Sequence, residues 1–254
     1  MTQIICIANQ KGGVGKTTTA VNLSAALALA EKRTLLVDCD PQANATTGMG
    51  IDKNGLAQTL YHGLIGEADI ESLITATEID RLQVIPSRVE LIGFEVEMMN
   101  ENGREQVLKK CLSRIADRYD YIIIDCPPSL SLLTLNAMAA ADVLLIPLQC
   151  EFYALEGLGQ LLQTKALING GINPGLSISG ILLTMFDKRT NLSHQVAEEA
   201  MKYFKGKERV FSTSIPRNVR LGEAPSFGKP ILLYDAGSMG AQSYIALAKE
   251  ILDG

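Results

Sequence analysis

The chain has no tryptophan, and aromatic residues make up only 5% of its 254 positions. No basic stretch is studded with aromatics, so nothing supports a platform for stacking single-stranded nucleic acid. Positive charge is not in excess either. Lys and Arg number 23 against 28 Asp and Glu, a formal charge of −5, which excludes a protein coated in positive charge such as a histone-like DNA packager. No stretch approaches the ~20 apolar residues of a membrane span. The opening MTQIICIANQ lacks the basic segment of a secretory leader, and SYIALAKEILDG offers only Lys249 as a base, a poor anchor for anionic lipid. The five cysteines (Cys6, Cys39, Cys111, Cys126, Cys150) are odd in number, widely spaced and free of any C-x-x-C pair. They read as buried thiols in a reducing compartment rather than as disulfides or metal ligands. No repeat, low-complexity tract or linker interrupts the chain, so a single cytoplasmic domain over 1–254 with no membrane contact is expected.

What is present is a 47% apolar sequence arranged in short runs. IICIA (4–8), TLLVD (34–38), LQVIP (82–86), YIIID (121–125), VLLIP (143–147) and ISGILLTMF (178–186) are nearly continuously apolar, as strands buried on both faces of a parallel sheet must be. Helical patterns fall between them at about 17–30, 103–118, 131–141, 154–170 and 192–205, with another near 238–252. This alternation predicts an α/β fold, a doubly wound and mostly parallel sheet flanked by helices. A closed eightfold barrel is the alternative, and a phosphate loop after the first strand favours the open sheet. Residues 48–100 are the least regular and are expected to form a peripheral helical excursion.

The first strand runs into NQKGGVGKTTTAVNLSAALALA. Gly12, Gly13 and Gly15 let the backbone curl its N–H groups inward around an anion, and the following helix adds its positive end. Val14 lies within the same cradle. Lys16 supplies a point charge for β- and γ-phosphates, the Thr17 hydroxyl can ligate Mg²⁺, and Thr18 adds donors near the α-phosphate. The strict G-x-x-x-x-G-K-[ST] pattern needs glycine at position 10, where this chain has Gln10. Asp38 ends one strand and Asp40 follows two residues later; Asp125 ends another strand. Ligands bind beyond the carboxyl ends of such strands, so these groups can converge on the loop. Capping or turn roles for Asp40, and for Asp125 before Pro127-Pro128, are the alternative.

A second loop lysine, Lys11, is not needed to cradle phosphate. With it, KGGVGKTT matches the deviant Walker A signature, and the chain resembles the ParA/Soj ATPases of the ParA–MinD group from IICIANQKGG to its final helix. The resemblance implies that Lys11 reaches the phosphates on a partner subunit in an ATP-bound sandwich dimer. It implies that Asp125 is the Walker B aspartate, holding Mg²⁺ through water and Thr17, with Asp38 contributing behind the direct ligands. No glutamate follows Asp125; by elimination and by resemblance Asp40 orients the attacking water, and slow intrinsic turnover is expected.

The N-K-x-D signature of GTPases is absent, TMFDKRTN (184–191) being no match. In the resembled family the segment matching SIPRNVRLGEAPSFGKPI (214–231) flanks adenine, with Pro216 offering an apolar face and Asn218 an amide. QCEFYALEGL (149–158) is expected to border the dimer face. Residues 181–230 carry nine Lys/Arg against five acids, a local +4, whereas residues 1–180 sum to −7. Such a patch can hold DNA phosphates without reading bases; a solvated helix face is the plainer alternative. The resemblance implies non-specific duplex DNA binding through Arg189 and Arg220, with Lys188, Arg217 and Lys229 as further contacts. It also implies a nucleoid-associated protein released when a ParB-like centromere-binding partner stimulates hydrolysis. A MinD-like membrane ATPase is disfavoured by Gln10 and the weakly basic tail, and a metallocluster ATPase by the scattered cysteines. Because the first strand begins by residue 4, no operator-reading extension is expected.

Overall fold

The computed structural model describes residues 2–151 and 158–254. Along the chain, β1 (Gln3–Ile7) turns through the glycine loop into α1 (Lys16–Leu29), followed by β2 (Thr34–Asp38) and α2 (Asn44–Gly48). Next come α3 (Leu60–Leu64), β3 (Thr75–Ala76), β4 (Leu82–Ile85), α4 (Gly93–Glu97), α5 (Val107–Ser113) and β5 (Tyr121–Asp125). Then follow α6 (Leu132–Ala140), β6 (Val143–Gln149), α7 (Leu158–Asn169) and β7 (Ser177–Thr184). Helices α8 (Asn191–Phe204), α9 (Val219–Glu223), α10 (Ile231–Tyr234) and α11 (Met239–Leu252) complete the described chain.

The seven strands form one sheet in the order β3-β4-β2-β5-β1-β6-β7, parallel except where β3 pairs with β4. Side-chain alternation sends Ile5, Ile7 and Ile123 to one core and Cys6, Ala8, Ile122 and Ile124 to the other. Both faces are covered, which is why the strands lack polar alternation. Helices α1, α10 and α11 pack on the first face and α5 to α8 on the second. Of the fourteen α1 residues, eleven are buried, so this helix is apolar nearly all round, and its alanines allow close approach to sheet and α11. The chain leaves β1 for β2 on one side and leaves β5 for β6 on the other. These connections diverge around the carboxyl ends of β1 and β5 and open a crevice there.

Two expectations change. The helix expected over 103–118 is broken into 3₁₀ turns at Arg104–Gln106 and Ala116–Arg118 around the short α5. Asn136 of α6 causes the first break: its Oδ1 accepts the Leu108 N–H at 3.1 Å while its Nδ2 donates to the Arg104 carbonyl at 2.8 Å. Residues 48–100 are not purely helical: besides the expected strand at 82–86, which is β4, the two-residue antiparallel β3 pairs with it and shields the sheet edge. Residues 154–157 of the helix expected over 154–170, and 152–157 of the expected dimer-face segment, lie outside the described residues.

The loop after α2 crosses the segment after α9 at two glycines. Both Gly50 (φ 76°) and Gly228 (φ 63°) are left-handed, and a Cβ on either would sit 2.8 Å from the other's backbone. Gly50→Ala or Gly228→Ala should therefore lose about 1–3 kcal/mol from backbone strain alone, with the clash in addition, measured by denaturant unfolding. An unchanged unfolding midpoint would contradict this packing.

Candidate active site

The glycine loop leaves β1 at Ala8 and winds tightly because Gly13 (φ 75°) and Gly15 (φ 89°) are left-handed. Gly12 is not; a Cβ there would make only an ordinary 3.9 Å contact with Pro128. Asn9 fixes the loop's entry, donating from Nδ2 to the Pro147 carbonyl at 2.7 Å and accepting the Lys11 N–H at 3.0 Å. The far side is tied by the Thr184 hydroxyl, which donates to the Val14 carbonyl at 2.9 Å. Gly15 is the N-cap of α1 and no side chain caps that helix, which leaves its first-turn donors available to an anion.

The two loop lysines behave differently. Lys16 is buried and folds over the loop, donating from Nζ to the Lys11 carbonyl at 3.1 Å. Burial lowers its pKa, opposed by the charges of Asp125 and Asp40. Lys11 stands at the rim with its side chain 36% exposed, its ammonium 3.1 Å from Glu151. Gln149 donates to the other Glu151 oxygen and so holds that carboxylate in place.

Asp38 and Asp125 are register neighbours on β2 and β5, both fully buried. Desolvation and the neighbouring Asp38 push Asp125 well above the usual carboxylate range. The Thr17 hydroxyl tempers that shift without completing a hydrogen bond, and both Asp125 oxygens are buried and unpartnered among the described residues. A buried carboxylate with no donor, beside a first-turn hydroxyl and an anion cradle, has the chemistry to serve a hydrated divalent cation. Asp38 differs. Burial pushes it up to about 6, while donors from Thr46 and Asp40 hold it down. Its oxygens serve the following loop: Oδ1 accepts the Asp40 N–H at 3.1 Å, and Oδ2 accepts the Thr46 N–H and hydroxyl at 2.8 and 2.7 Å. In this geometry Asp38 holds the Asp40 loop from its place beside Asp125. Asp40 is itself buried, accepting the Gln42 N–H at 2.9 Å, so the turn role and proximity to the site hold together.

On the other side of the loop, a cavity of about 240 Å³ joins Gly15 and Thr18 to Met185, Pro216, Asn218 and Tyr244. Its size suits part of a ligand rather than the several hundred Å³ of a whole drug-sized site. Asn218 caps α9, its Oδ1 accepting the Arg220 N–H at 2.8 Å, which leaves the amide nitrogen for another acceptor. Tyr244 was not foreseen; its hydroxyl meets that of Thr19 at 3.2 Å and joins α11 to α1 under the cavity. A larger groove of about 830 Å³ between α3, α4 and α5 contains none of the expected site residues.

The basic residues divide. Arg189 is 87% exposed and paired with Asp187 through both carboxylate oxygens at 3.0 and 2.8 Å. Arg220 pairs with Glu223 at 2.9 Å and lies 3.6 Å from Asp235. The Lys188 carbonyl is hydrogen-bonded to His194 at 3.0 Å, its side chain exposed. Arg217 lines the 240 Å³ cavity, and Lys229 lines a second one of about 270 Å³ beside Thr17 and Thr18. The bridge between Phe186 and Pro216 brings the Lys188–Arg189 turn and Arg217 together, and Arg217 helps hold Asp187 below its ordinary pKa. The cysteines are all free, four buried and Cys111 half-buried; Cys6 and Cys126 touch at 3.4 Å beneath the carboxylate pair.

A glycine loop between the inner strand β1 and a helix, with carboxylates on nearby strand ends, defines a P-loop nucleotide hydrolase. A family profile described as an AAA domain matches residues 2–178. The chromosome partitioning protein ParA of Myxococcus xanthus is 58% identical over 250 residues, covering 98% of this chain and 88% of that one. The sporulation initiation inhibitor protein Soj of Bacillus subtilis is 57% identical over 251 residues, covering 99% and 98%. Among solved structures, a cobyrinic acid a,c-diamide synthase from Mycobacterium smegmatis with bound ADP and magnesium is similar at TM-score 0.88 and 35% identity, covering 99% and 94%. The chain belongs to the ParA/Soj family of chromosome-partitioning ATPases. The metabolic name stands on the lower identity and does not displace that assignment.

The carboxylate pair yields a pH test. An Asp whose folded-state pKa is raised is penalised as pH climbs from its unfolded value toward the folded one, and fully penalised above it. Asp125→Asn avoids that penalty. In nucleotide-free protein, its stability relative to wild type should therefore rise between pH 4 and 8, read by urea unfolding at each pH. A difference constant across that range would contradict the assigned burial.

Proposed function

We propose that this partitioning ATPase works as a nucleotide-gated homodimer, with residues 1–254 acting as one domain. The position of Lys11 carries the reading. Lys16 is already turned into the loop, whereas the Lys11 ammonium stands at its rim, held among the described residues by a half-exposed ion pair with Glu151. Breaking such a pair costs about 1 kcal/mol or less, so phosphates presented by a second copy can capture Lys11.

Within each copy, Gly12, Gly13, Val14, Gly15, Lys16, Thr17 and Thr18 form the phosphate cradle of an ATP site, which the Lys11 ammonium of the other copy completes. Pro216 packs on the adenine face, and the Asn218 amide nitrogen, left over from helix capping, faces the base. The residues that fit Mg²⁺ are Thr17 directly and Asp125 through water, on the ground of the unpartnered Asp125 oxygens. When bound, Mg²⁺ neutralises charge on the β- and γ-phosphates. Asp40 orients water for attack. The residue after Asp125 is Cys126, whose buried thiol is no base, which supports slow turnover.

Arg189 and Arg220 are the leading contacts to non-specific duplex DNA, with Lys188, Arg217 and Lys229 in support. Both arginines are neutralised by their own carboxylates in a single copy. Phosphate must displace those partners, so one copy binds weakly and the two patches of an ATP-joined dimer bind firmly. A ParB-like partner would stimulate hydrolysis and release the dimer from nucleoid DNA in the cytoplasm. No described helix is long and apolar enough to cross a membrane, and α11 uses its apolar face against α1.

The test is binding to random-sequence duplex DNA with and without ATP. Wild type should bind with ATP, more weakly as salt rises; Lys16→Ala and Arg220→Ala should each lose at least about tenfold in affinity. Binding indifferent to nucleotide and to both substitutions would refute the reading. Asp40→Ala should bind ATP yet hydrolyse it at least about 100-fold more slowly; a wild-type rate would remove Asp40 from the chemistry.

A further inference from the structure

Thr46 has no place in any signature of the chain, yet it is fully buried in the middle of α2 and joins three segments. Its N–H and hydroxyl both reach Asp38 Oδ2, at 2.8 and 2.7 Å, and its hydroxyl oxygen accepts the Ser87 N–H at 2.9 Å from the turn after β4. Chemistry fixes the direction of this relay. An ionised carboxylate can only accept and an N–H can only donate, so the Thr46 proton points to Asp38 and a lone pair to Ser87.

The residues between these anchors carry Asp40. They are wound against their own preference, since Ala43 is left-handed at φ 55° without being glycine. That conformation costs about 1 kcal/mol or more and persists only where its surroundings hold it. Within the loop, the Ala43 N–H donates to the Asp40 carbonyl and the Gln42 N–H to the Asp40 carboxylate, both at 2.9 Å. These short-range bonds set the shape of the turn but not its place on the sheet. The near end is tied to the sheet by the Cys39 N–H to the Asp125 carbonyl at 2.9 Å and the Asp40 N–H to Asp38 Oδ1 at 3.1 Å, and the far end by the Asp38–Thr46 contacts, Asp38 being the last residue of β2 and fixed by its register with Asp125.

We infer that Thr46 is a positioning residue for hydrolysis: it clamps the Asp40 loop to the end of β2 and so sets where the Asp40 carboxylate stands relative to the phosphates. The inference rests on the reading of Asp40 as the group that orients water. Nucleotide affinity comes from the glycine loop and α1, so loss of the clamp acts on turnover rather than on binding.

Thr46→Val removes the hydroxyl at nearly constant shape, and Thr46→Ser retains it. Thr46→Val should lower kcat about 10- to 100-fold with KM for ATP and affinity for ADP unchanged, and Thr46→Ser should stay close to wild type. In nucleotide-free Thr46→Val, amide hydrogen exchange over residues 40–47 should quicken, a readout independent of turnover. The inference is overturned if Thr46→Val keeps the wild-type kcat, or if kcat, ADP affinity and melting temperature fall together in both variants, as general destabilisation would cause. Failure of the premise looks different: Asp40→Ala would then hydrolyse ATP at the wild-type rate. An inactive Asp40→Ala beside a fully active Thr46→Val refutes the clamp alone.

Discussion

Two carboxylates buried side by side at the ends of neighbouring parallel strands impose the demand around which this molecule is arranged. Asp38 and Asp125 are placed together by the β2–β5 register, with no freedom to separate. Water is excluded from both, and one partly desolvated ammonium, Lys16, stands nearby. Two negative groups and one positive group in a poorly solvated place are unbalanced without further positive charge or donors. The fold answers this differently for each carboxylate. Asp38 receives three protein donors and becomes the anchor of a loop; Asp125 receives none among the described residues.

That asymmetry organises the surroundings. The Asp38 side is a rigid ledge of backbone and Thr46, continued by the Gly50–Gly228 crossing to the segment that bears Asn218, Arg220 and Lys229. The segment following the Asp40 loop therefore touches the one that carries Asn218 and the basic residues Arg220 and Lys229. A helix packed on every side, α1, links both to α11 through Thr19 and Tyr244. Stability given up at Asp125 and Lys16 is the usual cost of a site that is completed only by its ligand.

Much of this was legible in the order of residues. Buried parallel strands announce themselves as apolar runs, and a glycine loop opening a helix has few other uses, so the sheet and cradle follow from local pattern. What escaped was set by side chains distant in sequence. Asn136 breaks the 103–118 helix from 28 residues beyond Leu108, and no periodicity carries that information. Asp38 reads as a metal-side residue from its strand end, and only the three-dimensional turn reveals Thr46 as its partner. The local excess of positive charge was readable, but the pairing of Arg189 with Asp187 and the placing of Arg217 and Lys229 at cavities were not. Charge sums along a segment do not record who faces whom.

The central claim is that a single copy holds an incomplete phosphate site, which the Lys11 of a second copy completes. Lys11 is already clear of its own cradle and tied to Glu151 by a pair weak enough to exchange. Sedimentation of wild type and Lys11→Ala with saturating ATP and magnesium, under conditions where hydrolysis is negligible, tests this directly. The account predicts a wild-type dimer and a Lys11→Ala monomer that still binds nucleotide. A Lys11→Ala protein that dimerises with ATP as readily as wild type would contradict it.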